Sequence, residues 1–451
     1  KVVLEGIQTA SIDNSLIIGY SVAGDFAEAR STGSLFLQSV DQLSLNAALR
    51  IGYARTELNQ FGQAWANGKF EWQRLGQLFG TLSEFNVGIA YSQGEGTSIA
   101  NGYGEFYIDE INGAISIISP INVGYAVAQE SSEANAWGRV RIDELNTLVA
   151  ANEVNVGVAS ASGGQNLVMP TATADGSLHL ERMSVLNVAG GVNVGRAWAV
   201  GGGSGDAIAR AEFTLQDINS VFLAGLNVGD VFASQRATGR TEARATLESN
   251  SNLIIGGLGL SVASLQAGDL SQAIGDGKLW INNSQNGIAI GSLLSVGVVD
   301  AADNGHAAAD GKFVIDTVNN GGVTFAGPAL IGVVNASDFS NYNTHAFAKI
   351  ANIDGQVTFA DQFLSDANKA LQIGTVRGTG ASSGEAWGML RIDTLNGVLR
   401  IGGPVEVGLA DLLSSASTVA TGKLIVEDII DTGVDPFALE ILTGHLRVGR
   451  I

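Results

Sequence analysis

The sequence predicts an all-β fold, a single parallel β-solenoid over residues 1–451. Two observations predict it: a unit of about 35 residues recurs along the chain, and apolar residues alternate with other residues inside each unit. The repeat is plainest in two stretches, "WGRVRIDELN" at 137–146 and "WGMLRIDTLN" at 387–396, which differ at three of ten positions. Further copies fill the distance between them, so they are two copies of one unit and not two duplicated domains.

One anchor marks each unit, and a second marks most of them. The first is a small residue that opens a strand-like motif, and it falls at Gly33, Gly68, Gly104, Gly138, Gly176, Ala211, Ala245, Gly277, Gly311, Ala348, Gly388 and Gly422. The second is a Val-Gly or Ile-Gly pair about 18–21 residues later, with its glycine at Gly52, Gly88, Gly124, Gly157, Gly195, Gly229, Gly297, Gly332 and Gly408. With an opening coil that begins at Val2, the spacing predicts about 13 coils of about 35 residues.

The strands are predicted from apolar residues that stand two and four positions after the first anchor, a period of two. The second of these positions is expected to form one inward-facing stack of Leu37, Ile108, Ile142, Leu180, Leu215, Ile315 and Ile392. A coil of this length cannot bury its own apolar face, so neighbouring coils share a core. A β-propeller is the alternative at this period, but its blades need about 40–45 residues and four strands. Residues 360–371 and 409–417 have the best helical spacing, and we interpret them as short decorations or irregular loops.

The composition excludes several classes of protein. The chain has 451 residues with 60 Gly, no Cys, 15% charged residues and a net charge of −20. This charge argues against binding to nucleic acid or to anionic lipid, and no apolar run approaches the roughly 18 residues of a membrane helix. The absence of Cys suits a bacterial secreted or surface protein. Lys1 leads directly into "VVLEGI", so we expect a processed or excised start without a signal peptide.

Two polar positions recur and are both given a structural interpretation. Five residues after the first anchor we expect an outward-facing row, made of Gln38, Gln73, Asp109, Asp143, Glu181, Gln216, Asn282, Asp316, Asp393 and Glu427. Eight residues after it stand amides that are expected to bond the backbone at a corner and to stack between coils. These are Asn112, Asn146, Asn219, Asn319 and Asn396.

We predict no catalytic site, no metal site and no cofactor. Solenoid enzymes that act on glycans need a local cluster of carboxylates, and none is evident on adjacent coils. The four histidines, His179, His306, His345 and His445, fall at different positions of the repeat. "DNGH" (303–306) is expected in a loop, and "GGGSGD" (201–206) lacks the strand-to-helix context of a phosphate loop. Sugar stacking by Trp is considered, but Trp137 and Trp387 are seven coils apart, so corner or core packing is expected.

An array of Gly-, Ala-, Val- and Asn-rich coils that is acidic and lacks Cys resembles the β-helical stalks of bacterial surface adhesins. These include the filamentous-haemagglutinin-type exoproteins and the passengers of autotransporters. The resemblance covers the whole chain and implies a secreted structural or adhesive role. It implies no particular functional residues.

The two ends predict self-association. Residues 2–20 match residues 35–53 without gaps, and "HLRVGRI" (445–451) finishes on a second anchor. Neither end carries a polar or helical cap, so each is expected to be an open sheet edge that recruits another chain. The predicted contact residues are Val2, Val3, Leu4, Ile7, Ile12 and Ile18 in the first coil, and Leu424, Val426, Ile429, Leu446 and Val448 in the last.

The expected function is therefore an extracellular or cell-surface filament subunit whose partner is a second copy of the chain, joined head to tail. Cell-surface or matrix polysaccharide is a further candidate partner. The alternatives are a stalk fragment of a large adhesin and a solenoid that binds or degrades carbohydrate.

Overall fold

The computed structural model of the chain describes residues 1–57, 61–94, 97–109, 112–163, 169–201, 205–360, 370–412, 416–430, 439–441 and 446–449. It is a parallel β-solenoid of about 11 turns with about 35 residues per turn, and the described residues contain no helix. The all-β fold class and the length of the repeat are confirmed. The predicted number of 13 coils is close to the observed number of turns.

The strands are numbered in chain order. The first are β1 (Val2–Glu5), β2 (Thr9–Ile12), β3 (Ser15–Ala23), β4 (Glu28–Leu45), β5 (Ala48–Thr56), β6 (Gln63–Leu82), β7 (Glu84–Gly94), β8 (Ile99–Ile108), β9 (Asn112–Ile117), β10 (Ile121–Glu130), β11 (Glu133–Asp143), β12 (Thr147–Ala150), β13 (Val154–Gly163), β14 (Thr171–Gly201), β15 (Asp206–Ala233), β16 (Thr238–Glu248), β17 (Asn252–Val262) and β18 (Leu265–Ala267).

The remaining strands are shorter on average. They are β19 (Gln272–Asn282), β20 (Ile288–Ile290), β21 (Leu294–Val296), β22 (Val299–Ala301), β23 (His306–Ile315), β24 (Val318–Phe325), β25 (Ala329–Ile331), β26 (Val334–Ala336), β27 (Asn341–Ile350), β28 (Ile353–Phe359), β29 (Leu371–Ile373), β30 (Val376–Gly378), β31 (Ser383–Asn396), β32 (Leu399–Ile401), β33 (Val405–Val407), β34 (Ala410–Leu412), β35 (Ser417–Ile429), β36 (Leu439–Ile441) and β37 (Leu446–Val448).

Strands of one coil pair in parallel with the strands of the next. In the opening coil, Leu4 of β1 pairs with Leu37 of β4, and Ile18 of β3 pairs with Ile51 of β5. These are the partners that the ungapped match between residues 2–20 and 35–53 predicts. The parallel ladder therefore satisfies backbone groups between coils, and equivalent residues of successive coils form columns.

The predicted members of the inward-facing stack are buried within their own units. They are at most 3% exposed, namely Leu37, Ile108, Ile142, Leu180, Leu215, Ile315 and Ile392. Trp72 occupies the same column, paired with Leu37 on one side and Ile108 on the other, and is fully buried. The alternation in the sequence therefore reports the two faces of each strand.

The two anchors of the repeat lie directly against each other. A Cβ atom built on Gly104, a first anchor, would overlap the backbone nitrogen of Gly88, a second anchor. Gly88 has a φ of +67°, which side chains rarely adopt. A Cβ on Gly88 would also overlap the carbonyl oxygen of Trp137. The glycines recur because two opposing strands approach in direct backbone contact at this level of each coil.

The chain forms two compact units. One comprises Lys1–Leu223 with Ala237–Arg244, and the other comprises Ala224–Arg236 with Ala245–Ile451. Both are built from the same repeat. One continuous array over residues 1–451 remains a prediction.

Several smaller expectations concern connections. Asp303 and Asn304 of "DNGH" lie at the tip of a turn closed by a 2.7 Å hydrogen bond from Gly305 N to Ala302 O. The loop assignment is therefore confirmed for residues 303–305, whereas His306 begins strand β23. Of the two stretches with helical spacing, 361–369 and 413–415 lie outside the described residues, while Ala410–Leu412 is a strand. His445 and residues 202–204 of "GGGSGD" also lie outside the described part.

Candidate functional site

The first coil presents part of an apolar face to solvent. Val2 and Val3 are each 52% exposed and Leu4 is 37% exposed, although the strand that carries them pairs with β4 on one side. Ile7 and Ile12 are half-buried, and Ile18 is buried. Val2 and Leu4 are exposed because a neighbouring coil covers them on one side only, whereas the internal residues of their columns are covered on both sides. Val3 lies in an outward-facing column with Phe36 and Glu71.

The last coil shows the same feature in β35 and β37. Leu446 is 54% exposed and Val448 is 67% exposed, while their partners one coil earlier, Val405 and Val407, are buried. Within β35 the predicted residues are half-buried, namely Leu424, Val426 and Ile429. Both predicted sets thus lie on terminal coils, with exposed apolar residues in columns that are buried further inside.

The recurring polar position after the first anchor faces outward in most coils, as predicted. Its members are exposed or half-buried, with the exception of Asp143, which is buried. Asp143 is neutralised by Arg141, whose Nε lies 2.9 Å from Asp143 Oδ2. This ion pair allows a carboxylate to occupy a buried position on the outward side of the strand.

One group on this face has donors that could hold a metal ion. Ligand atoms of Asp143, His179 and Glu181 lie within 4.8 Å of one another, and a histidine with two carboxylates is a donor set that zinc uses. Arg141 lies among them, however, 3.8 Å from Glu181 Oε2 as well as beside Asp143. The hydrogen bond to Asp143 raises the pKa of Arg141. The guanidinium therefore already supplies the positive charge that these carboxylates need.

The sequence reasoning did not anticipate this group. It compared the histidines with one another, whereas the structure brings a single histidine together with carboxylates of its own coil and the preceding one. The sequence pattern that could have revealed this group is a basic residue two positions before a carboxylate, as in Arg141 before Asp143 and His179 before Glu181.

A buried amide ladder is a second feature that the sequence reasoning missed. Asn122 Nδ2 donates to Asn86 Oδ1 at 2.8 Å, Asn155 donates to Asn122 at 3.0 Å, and Asn193 donates to Asn155 at 2.8 Å. The signal was the asparagine in "FNVG", "INVG" and "VNVG". In the row that was predicted to stack, Asn319 donates to Gln285 Oε1 of the preceding coil at 3.4 Å.

The tryptophans divide into two groups. Trp72 lies in the core, as expected. The expectation of corner or core packing does not describe the other five tryptophans. They are partly exposed on strands whose alternate residues are buried, namely Trp65, Trp137, Trp198, Trp280 and Trp387. These five tryptophan rings therefore lie on the outer surface of the solenoid and not in its core.

No protein-family model, curated protein or solved structure matches the chain. Among the described residues, none belongs to a helix long and apolar enough to cross a membrane.

Proposed function

We propose that the protein is an extracellular structural protein, a β-solenoid subunit that assembles head to tail through its terminal coils. The observation that carries this proposal is the exposure of apolar residues at both ends of the repeat. Val2 and Leu4 in the first coil, and Leu446 and Val448 in the last, stand in columns whose internal members are buried.

The register of the internal coils specifies how two copies would meet. Continuing the columns places Leu424 over Val2 and Val426 over Leu4 of the next copy, since Val2 and Leu4 pair with the equivalent Leu35 and Leu37. On the neighbouring strand, Val448 would lie over Ile18. Each new backbone hydrogen bond contributes about 0.5–1.5 kcal/mol net, and the buried apolar surface adds about 25 cal/mol per Å².

The charges at this contact are compatible with it. The same register places Lys423 over Lys1 and Glu427 over Glu5. Internal coils already carry like charges in one column, since Lys278 pairs with Lys312. The carboxylate of Asp276, 2.6 Å from Lys278, compensates the charge there. Because exposed like charges are screened by salt, assembly should strengthen as ionic strength rises.

The contact joins two different surfaces, so a copy that binds at one end remains free to bind at the other. Such heterologous contacts give open filaments unless the rotation between copies closes a ring. A filament fits the secreted structural role that the composition and the resemblance to adhesin stalks imply.

The test is a double variant, Leu4→Lys with Val426→Lys, which places charges in the two apolar columns. A matched control is Ile17→Lys with Val419→Lys, which adds the same charges to outward-facing, exposed positions of the same terminal coils. We expect the wild type and the control to form salt-promoted oligomers by light scattering and filaments by electron microscopy, and the double variant to stay monomeric with unchanged circular dichroism.

Filaments of normal length from the double variant would exclude the terminal coils as the interface. A wild type that stays monomeric at high concentration and high salt would favour the alternative, a stalk segment of a larger adhesin.

We also propose that the protein is not an enzyme. Asp143 and Glu181, the carboxylates grouped with His179, are engaged by Arg141, which leaves them poorly placed to exchange protons with a substrate. Depolymerisation of a polysaccharide by the pure protein, abolished by Asp143→Asn, would show this to be wrong.

A further inference from the structure

A groove of about 630 Å³ runs along the outward face of the first unit. It lies across β4, β6, β8, β11, β14 and β15, over the residues just before the first anchor of each coil. Outward residues of these strands form two adjacent columns, because parallel in-register pairing aligns equivalent positions. In one column Trp65 is followed by the shorter Asn101, Asn135 and Thr173, and in the other Tyr103 and Trp137 are adjacent. The groove occupies the space above the short side chains.

One end of the groove is formed by Trp65. The guanidinium of Arg30, from the preceding coil, lies 4.6 Å from the centre of the Trp65 ring and covers one of its faces. On the other side Trp65 pairs with Asn101 of the next coil, a much smaller side chain. The second face of the indole is therefore available to a molecule in the groove.

The side of the groove is an aromatic wall. Tyr103 and Trp137 lie on adjacent coils with ring centres 4.1 Å apart and an angle of 3° between the ring planes. The Tyr103 hydroxyl donates to Glu105 Oε1 at 3.2 Å, which fixes the ring further. Stacking with this geometry is favourable beyond simple burial, so the wall is held rigid before any ligand binds.

The floor consists of amides and a hydroxyl. Asn135 Nδ2 donates to Asn101 Oδ1 at 3.0 Å, and Thr173 continues the same column. An amide has two N–H donors and an oxygen that accepts twice. Asn135 Nδ2 also donates to Glu133 Oε1 at 2.7 Å, so both N–H groups of Asn135 are used. The amide nitrogen of Asn101 and the side-chain oxygen of Asn135 remain to pair with a ligand along the floor.

We propose that this groove is a binding site for a linear, uncharged polysaccharide. A pyranose ring has an apolar C–H face, which stacks on an aromatic face such as that of Trp65, and a rim of hydroxyls, which pair with amides such as Asn101 and Asn135. Few convergent polar groups beside aromatic surface are typical of small-ligand sites, and the volume lies within their range of about 300–1,000 Å³. An open groove that crosses several coils suits a chain rather than a single sugar.

The charges favour a neutral glycan over an acidic one. The two arginines of the groove are paired, since Arg30 Nε lies 2.5 Å from Glu28 and Arg210 Nε lies 3.9 Å from Glu242. The groove also contains Asp175, and the protein carries a net charge of −20. A polyanion would be repelled at long range.

The experiment measures binding of neutral hexasaccharides by isothermal titration calorimetry. The probes are the β-1,4-linked hexamers of glucose, mannose, xylose and N-acetylglucosamine, and the β-1,3-linked hexamer of glucose. All proteins carry Leu4→Lys and Val426→Lys, so that failure of the assembly proposal does not affect the result. We expect at least one probe to bind. Trp65→Ala should raise the Kd for that probe by at least about tenfold, and Trp65→Phe, which keeps an aromatic ring, should retain part of the affinity.

The matched control is Trp198→Ala. Trp198 is also an outward-facing tryptophan of this unit, 39% exposed and with an arginine, Arg196, 5.5 Å from its ring centre, but it does not line the groove. Its replacement should leave the Kd unchanged. The proposal is overturned if no neutral probe binds, or if Trp198→Ala weakens binding as much as Trp65→Ala.

Discussion

Gly138 lies against Gly124 so closely that a Cβ atom built on Gly138 would overlap the backbone nitrogen of Gly124. Gly138 is the glycine of "WGRVRIDELN", and Gly124 is the glycine of "INVG" in the preceding unit. The two anchors of the repeat are therefore the two sides of one contact. Their recurrence reflects the close approach of opposing strands, and a site for a ligand is not needed to explain it.

The first prediction follows from this contact. Gly138→Ala should lower the free energy of unfolding by about 1–3 kcal/mol, as overpacking of a core does, because the atoms that meet the new methyl group are backbone. Alanine occupies this anchor at Ala211 and Ala348, so we expect the fold to survive. Gly24→Ala is the control, since a Cβ there meets no atom within 4 Å.

Chemical denaturation followed by circular dichroism measures both glycine variants. Equal free energies of unfolding for Gly138→Ala and Gly24→Ala would mean that the facing strands can move apart to admit the methyl group without loss of stability.

The second prediction concerns two carboxylates whose pKa values move in opposite directions. Burial raises the pKa of Asp175 above its ordinary value of 3.8, with Glu212 and Glu242 adding to the effect and Arg210 opposing it. A raised pKa in the folded state means that folding loses stability as pH rises through the carboxyl range. Asp175→Asn should therefore stabilise the protein at neutral pH, and the gain should vanish below the ordinary pKa.

Asp393 is the opposite case. Burial acts to raise its pKa, but hydrogen bonds from Lys349 and Arg391 outweigh this and lower it. Its contribution to stability is present above the unfolded pKa and is lost as pH falls through the folded value. Asp393→Asn should thus destabilise the protein at neutral pH and match the wild type in strong acid. Denaturation midpoints measured from acidic to neutral pH test both variants. If both variants stabilise the protein at neutral pH, or both destabilise it, the two predictions are contradicted.

The third prediction tests the amide ladder. Asn155→Ala removes both the donor to Asn122 and the acceptor of Asn193 in a buried position, and an unmet buried polar group costs about 1–3 kcal/mol. Asn335, which donates to Asp300 at 2.7 Å at the surface, provides the control. Asn335→Ala should cost at most about 0.5 kcal/mol. Similar losses of unfolding free energy in the two variants would show that the ladder adds no stability of its own.

The sequence predicted the fold because the repeat encodes it redundantly. Leu37, Ile108 and Ile142 share a phase and a face, and the match of residues 2–20 to 35–53 supplies the pairing of Leu4 with Leu37. Aligning successive units of the repeat identifies the residues that pair between neighbouring coils, so the register of the strands follows from the repeat.

The surface could be predicted far less. Trp65 and Asn101 each stand three residues before a first anchor, so the repeat aligns them. Periodicity alone, however, does not show that the smaller amide leaves one face of the indole open. The comparison of Trp137 with its distant copy Trp387 overlooked Tyr103, the ring on which it stacks. Contacts between unlike residues of adjacent coils carry no periodic signal, so they become visible only when the register is known.

The in-register columns have a genetic consequence. The strand Ile121–Glu130 pairs with Phe85–Gly94 on one side and with Val154–Gly163 on the other, asparagine over asparagine and valine over valine. Loss of residues 121–153 would bring Val154 onto Phe85 and Asn155 onto Asn86, and the ladder would close again. Recombination between copies can thus lengthen or shorten the gene by whole coils and yield a chain that still folds, whereas a one-residue deletion within a strand would turn every following side chain of that strand to the opposite face.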